Sequence, residues 1–229
     1  MIFRRSWPRF AMESKIKYNI QHSGLSGGRC INIGCGTGGR YKELLSMFDT
    51  DGVDILKPGN IKMPWRYHQV DAAKLPFPDF VFDFAIAIES FEHIEANEQA
   101  MSELARVLKP GGLAVITVPT HWTWIFEFGR HGPNYYSRSA LYKLVESSGL
   151  RVDTLSGCGG LAIYVVNLFK SWISPIGIRI FRQYWWKVID GLLRPIFVLA
   201  VGIDILLPFP PSNWVLMAHK PERALSLRS

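Results

Sequence analysis

A glycine-rich run, INIGCGTGGR at residues 31–40, most strongly constrains how this chain can fold. It overlaps the end of RCINI (29–33), a short apolar run typical of a buried strand, and precedes YKELLSMF (41–48), whose apolar residues share one face of a predicted helix. Gly34 and Gly36 permit backbone geometry that larger residues avoid, and they let a ligand approach the helix N-terminus closely. The sequence therefore predicts a ligand-binding turn between a strand and a helix.

The rest of the chain alternates short apolar runs with helix-period segments, which is typical of an α/β protein with a parallel sheet. The further predicted strands are 52–56, 65–71, 80–88, 112–119, one that begins at Leu150, and 213–220. One predicted helix carries Ala100, Met101, Leu104, Val107 and Leu108 on one face and stops at Pro110-Gly111-Gly112. Another covers 137–149, capped by Ser137 and ended by Gly149.

Composition excludes several classes of protein. With 48% hydrophobic and 20% charged residues among 229, the chain is not intrinsically disordered and is long enough for one domain with its own core. Its three cysteines, Cys30, Cys35 and Cys158, are too few and too scattered for a disulfide framework or a zinc cluster, which predicts a reducing, cytoplasmic setting. No uncharged apolar run is long enough to predict a membrane-spanning helix.

The net charge of +7 is concentrated at the two ends of the chain. Residues 1–20 carry +4 and residues 160–229 carry +5, so the middle is slightly acidic. Basic ends with many aromatic and aliphatic residues favour a membrane surface, such as the inner face of a membrane, over nucleic acid. Within residues 160–209, the stretch 176–194 forms an amphipathic helix pattern with a mainly cationic polar face. This insert is interpreted as a lid over the site, a homodimer contact or a peripheral membrane contact.

The glycine run alone leaves the ligand open. Gly34, Gly36 and Gly39 fit the pattern G-x-G-x-x-G, and Asp54 lies 20 residues beyond Gly34, as in proteins that bind nicotinamide dinucleotides. A nicotinamide-dependent oxidoreductase is therefore one hypothesis. A non-catalytic, membrane-associated cofactor-binding module is another.

The blocks that follow the glycine run decide between these readings. Five blocks occur in order along the chain: INIGCGTG, then VDI with Asp54, DAAKLPFPDFVFD from Asp71, IESFEHI, and ELARVLKPGG with ITVP. Together they resemble the class I S-adenosylmethionine-dependent methyltransferases, and more narrowly the group that includes ubiquinone-pathway and small-molecule enzymes. The resemblance covers roughly residues 29–158 and resumes at 213–220.

The resemblance implies a Rossmann-like α/β fold: a seven-stranded, mostly parallel sheet of order 3-2-1-4-5-7-6 with the last strand antiparallel. A single methyltransferase domain would then cover 1–229. Residues 1–23 would be a basic helical segment, 24–159 and 210–220 the core, and 160–209 a hydrophobic helical insert before the last strand.

The resemblance also implies where the cofactor would bind. Asp54 would accept hydrogen bonds from the ribose hydroxyls, and Glu89 would face the sulfonium and the acceptor. Asn32 stands where the family usually has an acidic residue. The whole implied cofactor set is Asn32, Gly34, Cys35, Gly36, Thr37, Gly38, Asp54, Ile55, Asp71, Ala72 and Glu89.

A metal hypothesis comes from Glu89-Ser90-Phe91-Glu92-His93, which resembles a block that holds a divalent ion in a subset of this fold. His131 would supply a second histidine, with His121 as the alternative, so that Glu89, Glu92, His93 and His131 would be the ligands. Glu89, His93 and His131 are the candidate catalytic residues. Alternatively, Glu89 alone faces the pocket, while Glu92 and His93 fix the loop.

The resulting hypothesis is methyl transfer from S-adenosylmethionine to a small-molecule or lipid-like acceptor. O-methylation is preferred, and nucleic acid is not expected as a partner.

Overall fold

A seven-stranded sheet forms the centre of the protein. The computed structural model describes residues 7–36, 41–56, 64–125, 133–161, 164 and 209–222. The strands are β1 (Arg29–Ile33), β2 (Asp49–Asp54), β3 (Arg66–Gln69), β4 (Phe82–Ile88), β5 (Leu108–Pro119), β6 (Arg151–Cys158) and β7 (Asn213–His219). Their order is β3-β2-β1-β4-β5-β7-β6, and only β7 runs antiparallel to its neighbours. The predicted order and direction are both confirmed.

The central strands are continuous apolar runs because both faces of the sheet are covered. In β4 six of the seven residues are buried, and in β1 four of five are buried. Parallel strands buried on both faces lose the alternation of polar and apolar residues that marks a half-exposed strand. This pattern places β1 and β4 at the middle of the molecule, where the strand order reverses.

In the described part of the chain, the sheet is covered by the helices α1 (Trp7–His22), α2 (Asn97–Val107) and α3 (Arg138–Ser147). α2 and α3 pack on one face through residues such as Leu104 and Val145, whereas α1 packs on the other face. Ser137 caps α3 as predicted, since its hydroxyl accepts a hydrogen bond from the backbone N–H of Ala140 at 3.2 Å.

Two predictions about helices are wrong. Residues 41–48 form turns instead of a helix. Leu45 and Phe48 are nevertheless buried as the pattern indicated, and Leu44 is partly buried. Leu108, placed on the helix by its spacing, is instead the first residue of β5, because α2 ends at Val107.

The segment between β6 and β7 leaves and re-enters the sheet at one place. Cys158 at the end of β6 pairs with Asn213 at the start of β7, and the Ser212 hydroxyl donates to the Cys158 carbonyl at 3.1 Å. The predictions for the insert 160–209 fall mostly on residues outside the described ranges. Within those ranges, no helix combines the length and the apolar character needed to cross a membrane.

Candidate active site

The turn after β1 begins with two glycines in left-handed backbone conformations. Gly34 has φ +67° and Gly36 has φ +53°. A Cβ on Gly34 would collide with the Cβ of Ser90 and lie 2.8 Å from its Oγ, whereas one on Gly36 would meet no heavy atom of the described residues within 4 Å. Gly34 is therefore required for close packing of the β1 and β4 ends, whereas none of the described side chains crowds Gly36.

The carboxylate of Asp54 ties this turn to the end of β2. Its Oδ2 accepts from the backbone N–H of Gly36 at 2.8 Å, and its Oδ1 accepts from that of Leu56 at 2.9 Å. A carboxylate has about four lone-pair positions, so each oxygen retains one after these bonds. Asp54 thus fixes the turn and can also accept two further donors.

Side chains of β3 hold the segment after Asp54. The Tyr67 hydroxyl donates to the carbonyl of Leu56, and the Gln69 amide donates to that of Ile55 at 3.2 Å. Ile55 and Leu56 are consequently held with their side chains exposed at the rim of the sheet. This exposure at a fixed position suits a contact with a planar apolar group.

Cys35 packs against the sheet within the turn. Its sulfur would lie 2.9 Å from a Cβ built on Gly52, and the indole nitrogen of Trp65 crowds the same place. Burial raises the pKa of the Cys35 thiol to about 12; Trp65 opposes that shift, and the nearby Asp54 charge adds to it. The thiol is therefore protonated at neutral pH and is a packing group rather than a nucleophile.

The remaining predicted cofactor residues lie at or next to the same edge of the sheet. Asp71 is exposed, and its Oδ1 accepts from the backbone N–H of Ala73 at 2.9 Å, while Ala72 is buried. Asn32 is buried within β1. Thr37 and Gly38 lie outside the described residues.

Glu89 immediately follows β4 with an unusual backbone. Its φ is +48°, a value that non-glycine residues adopt rarely. Its N–H donates to the Thr117 carbonyl at 3.0 Å and approaches the Thr117 hydroxyl at 3.1 Å. The neighbouring Ser90 hydroxyl donates to the Ile33 carbonyl at 2.8 Å. These bonds lock Glu89 at the carboxyl ends of β1, β4 and β5.

The proposed metal ligands do not come together within the described part of the chain. No group of three or more histidine, cysteine or acidic residues is placed there to hold an ion. The Glu92 side chain is almost fully buried, and His93 lies 3.9 Å from it with half its side chain exposed. His121 is exposed on a short helical turn, His121–Ile125, after β5. His131 lies outside the described residues, so a metal site that includes it remains a prediction.

Two residues of this edge were not among those predicted. Ser90 fills the place opposite Gly34, and Asn213 at the start of β7 donates from Nδ2 to Glu89 Oε1 at 3.2 Å. Ser90 lies inside the quoted IESFEHI block, so its position beside Glu89 was a usable signal. Nothing in the local pattern NWVLMAHK indicates a contact with a residue far earlier in the chain.

Comparison with known proteins identifies the family. A family model described as a methyltransferase domain matches residues 9–155. The chain therefore belongs to the class I S-adenosylmethionine-dependent methyltransferase family, as the order of its sequence blocks predicted.

Individual relatives are similar over part of their length. A sterol 24-C-methyltransferase of Gibberella zeae is 33% identical over 86% of this chain and 54% of the relative. A probable tocopherol O-methyltransferase of Oryza sativa is 33% identical over 73% of this chain and 55% of the relative. The chain thus spans about half the length of these curated relatives. The crystal structure of the cyclase SpnF shares the fold, with a TM-score of 0.64, 19% identity and coverage of 96% of this chain and 84% of that one.

The described residues fit the cofactor of this family. None of the described residues comes within 4 Å of a Cβ built on Gly36, and the Asp54 carboxylate keeps an acceptor position on each oxygen. The exposed Ile55 side chain adjoins this carboxylate. A ligand with a hydroxyl-bearing sugar and an apolar ring matches that combination.

Proposed function

We propose that this protein transfers a methyl group from S-adenosylmethionine to a small-molecule or lipid-like acceptor. The observation that carries the proposal is the Asp54 carboxylate, which holds the glycine-rich turn through Gly36 and still presents acceptor positions at the carboxyl end of β2. In open α/β sheets, ligands bind outside the carboxyl ends of the strands where the strand order reverses.

Each part of the turn has a role in this proposal. Asp54 accepts hydrogen bonds from the ribose hydroxyls, and Ile55 packs against the adenine ring beside it. Asp71 and Ala72 contact the adenine, and Gly34, Cys35 and Gly36 surround the methionine portion. Asn32, Thr37 and Gly38 complete this predicted set. Because the turn is held by backbone hydrogen bonds before binding, little ordering is needed when the cofactor arrives.

We propose oxygen as the methylated atom. S-adenosylmethionine supplies a methyl group on a sulfonium sulfur, and that sulfur leaves as a neutral thioether. Glu89 accepts the proton that the acceptor hydroxyl loses as its oxygen bonds to the methyl carbon. The fixed backbone of Glu89 supports this role, since the carboxylate starts from one place relative to β4 and β5. His93 and His131 remain the other predicted catalytic residues.

An apolar acceptor agrees with the side chains at the rim of the sheet. Trp122, Trp124 and Phe209 are exposed large aromatic residues. Trp122 and Trp124 follow β5, while Phe209 precedes β7. The Thr123 hydroxyl donates to the Ser212 carbonyl at 2.6 Å, which holds these two stretches together. We propose that this aromatic rim contacts a lipid-like acceptor or the membrane that contains it. A homodimer remains a further prediction.

The proposal is tested by the affinity for S-adenosylhomocysteine. The Asp54→Ala variant should bind this product about 1–3 kcal/mol more weakly, since its ribose hydroxyls lose their acceptor. Asp49→Ala is the matched control because Asp49 lies at the other end of β2, exposed and paired with Arg66 at 2.8 Å. Calorimetric titration of the wild type and both variants gives the comparison, and circular dichroism checks that each variant is folded.

The same titration separates the alternative hypotheses. Equal affinities of wild type and Asp54→Ala would contradict the ribose assignment. Binding of NADH by the wild type, detected by its fluorescence, together with no binding of S-adenosylhomocysteine, would favour the oxidoreductase hypothesis. Tight product binding without methyl transfer to any hydroxylated lipid tested would favour the non-catalytic module.

A further inference from the structure

The side chain of Asn213 connects the last strand to the proposed catalytic carboxylate. Asn213 is the first residue of β7 and pairs with Pro119 on one side and with Cys158 on the other. From this position its Nδ2 donates to Glu89 Oε1 at 3.2 Å, although the two residues are 124 positions apart. The contact thus crosses β5 from the start of β7 to the end of β4.

The orientation of the Asn213 amide is set by its neighbour. The one proton of the Ser212 hydroxyl is shared between Asn213 Oδ1 at 2.8 Å and the Cys158 carbonyl at 3.1 Å, so the oxygen end of the amide is occupied and the nitrogen end faces Glu89. Ser212 itself is fully buried. Its carbonyl accepts from the Thr120 N–H at 2.9 Å and from the Thr123 hydroxyl at 2.6 Å. The donor aimed at Glu89 is therefore built on a fixed support.

The backbone of Glu89 is restrained separately, by a hydrogen bond to β5. Its positive φ places the residue in a conformation that persists only where the surroundings enforce it. Thr117 supplies that restraint by accepting the Glu89 N–H. The backbone is thus fixed by β5, and the carboxylate at the end of the side chain is fixed by Asn213.

We infer that Asn213 is a positioning residue that holds the Glu89 carboxylate toward the sulfonium and the methyl acceptor; this inference rests on the proposed function. An amide N–H donated to a carboxylate restrains the side chain while leaving its negative charge in place. Loss of that donor removes one restraint on the direction of the carboxylate. Loss of the donor should then lower the affinity for a positively charged ligand more than the affinity for a neutral one.

The two forms of the cofactor provide such a pair of ligands. S-adenosylmethionine carries the sulfonium charge, and S-adenosylhomocysteine is neutral at sulfur. Calorimetry on the full chain gives the dissociation constant of each. In Asn213→Ala, the dissociation constant for S-adenosylmethionine should rise about threefold to tenfold more than that for S-adenosylhomocysteine, the effect expected when one hydrogen bond of ordinary strength is lost.

The variants can be chosen so that folding is preserved. After Asn213→Ala, the Ser212 hydroxyl still has the Cys158 carbonyl as an acceptor at 3.1 Å. Asn213→Leu keeps a similar side-chain volume without the donor and should give the same change. Asn97→Ala is the control because Asn97 also donates an amide hydrogen bond, to the Tyr136 hydroxyl at 3.0 Å. That control should leave the ratio of the two constants unchanged.

A second background shows whether the effect passes through Glu89. In Glu89→Gln, the further change Asn213→Ala should leave the ratio of the two dissociation constants unaltered, because no carboxylate remains to be positioned. An unchanged ratio in Asn213→Ala and Asn213→Leu, or the same shift in the Glu89→Gln background, would overturn the inference while the proposed function stands. A wild-type protein that binds neither form would overturn both.

Discussion

At the scale of single residues, Asp51 is a buried carboxylate outside the site that three side chains of the described residues hold. It is buried in β2 and accepts from Arg29 at 2.8 Å, from Arg66 at 2.9 Å and from the His68 ring at 2.8 Å. Burial by itself would raise the pKa of Asp51. The hydrogen bonds from Arg66, His68 and Arg29 outweigh burial and hold this pKa well below its ordinary value. The carboxylate therefore stabilises the fold in its charged form.

This charge predicts how stability depends on pH. Asp51→Asn should lower the free energy of unfolding at neutral pH by about 1–3 kcal/mol, because hydrogen bonds to a charged acceptor are lost. The stabilisation is complete above the unfolded-state pKa of about 3.9 and is lost as the pH falls toward the lower folded-state pKa. The difference between wild type and variant in urea denaturation should accordingly shrink in acid.

The control for that experiment is Asp49→Asn. Asp49 has an exposed carboxylate on the same strand and pairs with Arg66 at 2.8 Å, so its loss should cost at most about 1 kcal/mol. Equal effects of the two substitutions at neutral pH, or a difference that persists unchanged into strong acid, would contradict the role given to Asp51.

Residues of the site differ in how far sequence alone could predict them. Gly34 and Asp54 were predicted because a glycine-rich turn and the acidic residue after the next strand have a recognised spacing. In the structure, Gly34 lies in the turn after β1, and Asp54 at the end of β2 contacts that turn. Asn213 could not be predicted because the strand order alone does not give the register that brings its side chain to Glu89 across β5.

At the scale of elements, the wrong prediction of a helix at 41–48 has a physical cause. The turns at 41–48 keep the buried side of the predicted helix, with the Leu45 N–H donating to the Tyr41 carbonyl at 2.9 Å. A segment this short gains little from helical hydrogen bonds of its own, so packing against the sheet decides its conformation. Apolar spacing predicts which residues are buried, but it does not decide between a helix and a series of turns.

The helix α1 carries a prediction of its own. Its Met12, Ile16 and Ile20 are buried against the sheet, and Lys15 donates to the Gly157 carbonyl at 2.6 Å. Ile16→Ala should destabilise the protein by about 2–5 kcal/mol because it removes a fully buried side chain. Chemical denaturation measures the change.

An exposed residue of α1 serves as the matched control. Tyr18 is 59% exposed, and Tyr18→Ala should change stability by no more than about 0.5 kcal/mol. If Ile16→Ala were as mild as Tyr18→Ala, the described face of α1 would contribute little to the core, and a role at a membrane surface would gain support.

At the scale of the whole molecule, the strand order came from the family resemblance. Alternation of strands and helices predicts a parallel sheet, but it does not by itself give the order or the reversal of β7. The five sequence blocks supplied both, and the structure has the same order. The uneven charge, in contrast, predicted a membrane contact that involves residues 176–194, and this segment lies outside the described residues.

The aromatic rim leads to a prediction about membranes. The wild type should float with vesicles of phosphatidylcholine and phosphatidylserine at low salt, and less as salt is added, because basic residues near the surface contribute about 1 kcal/mol each. Trp122→Ala combined with Trp124→Ala should reduce the floated fraction, since exposed tryptophans favour the interface. Deletion of residues 176–207 should reduce it as well.

Tyr18→Ala again serves as the control, because it removes an exposed aromatic side chain that is not part of the aromatic rim. Its floated fraction should equal that of the wild type. No flotation of the wild type at low salt, or equal flotation of the tryptophan variant and the control, would leave the rim as a contact for the acceptor alone.

The pairing of Cys158 with Asn213 has an evolutionary consequence. Residues 159–212 enter and leave the sheet at neighbouring positions, so they occupy the place of a hairpin connection, and a change in their length adds only a slowly growing entropy cost. Selection can therefore lengthen, shorten or replace this stretch without altering the register of any strand. Ser212 and Asn213 at this junction carry the donor to Glu89, so a lineage that exchanges the residues before Ser212 would inherit that contact intact.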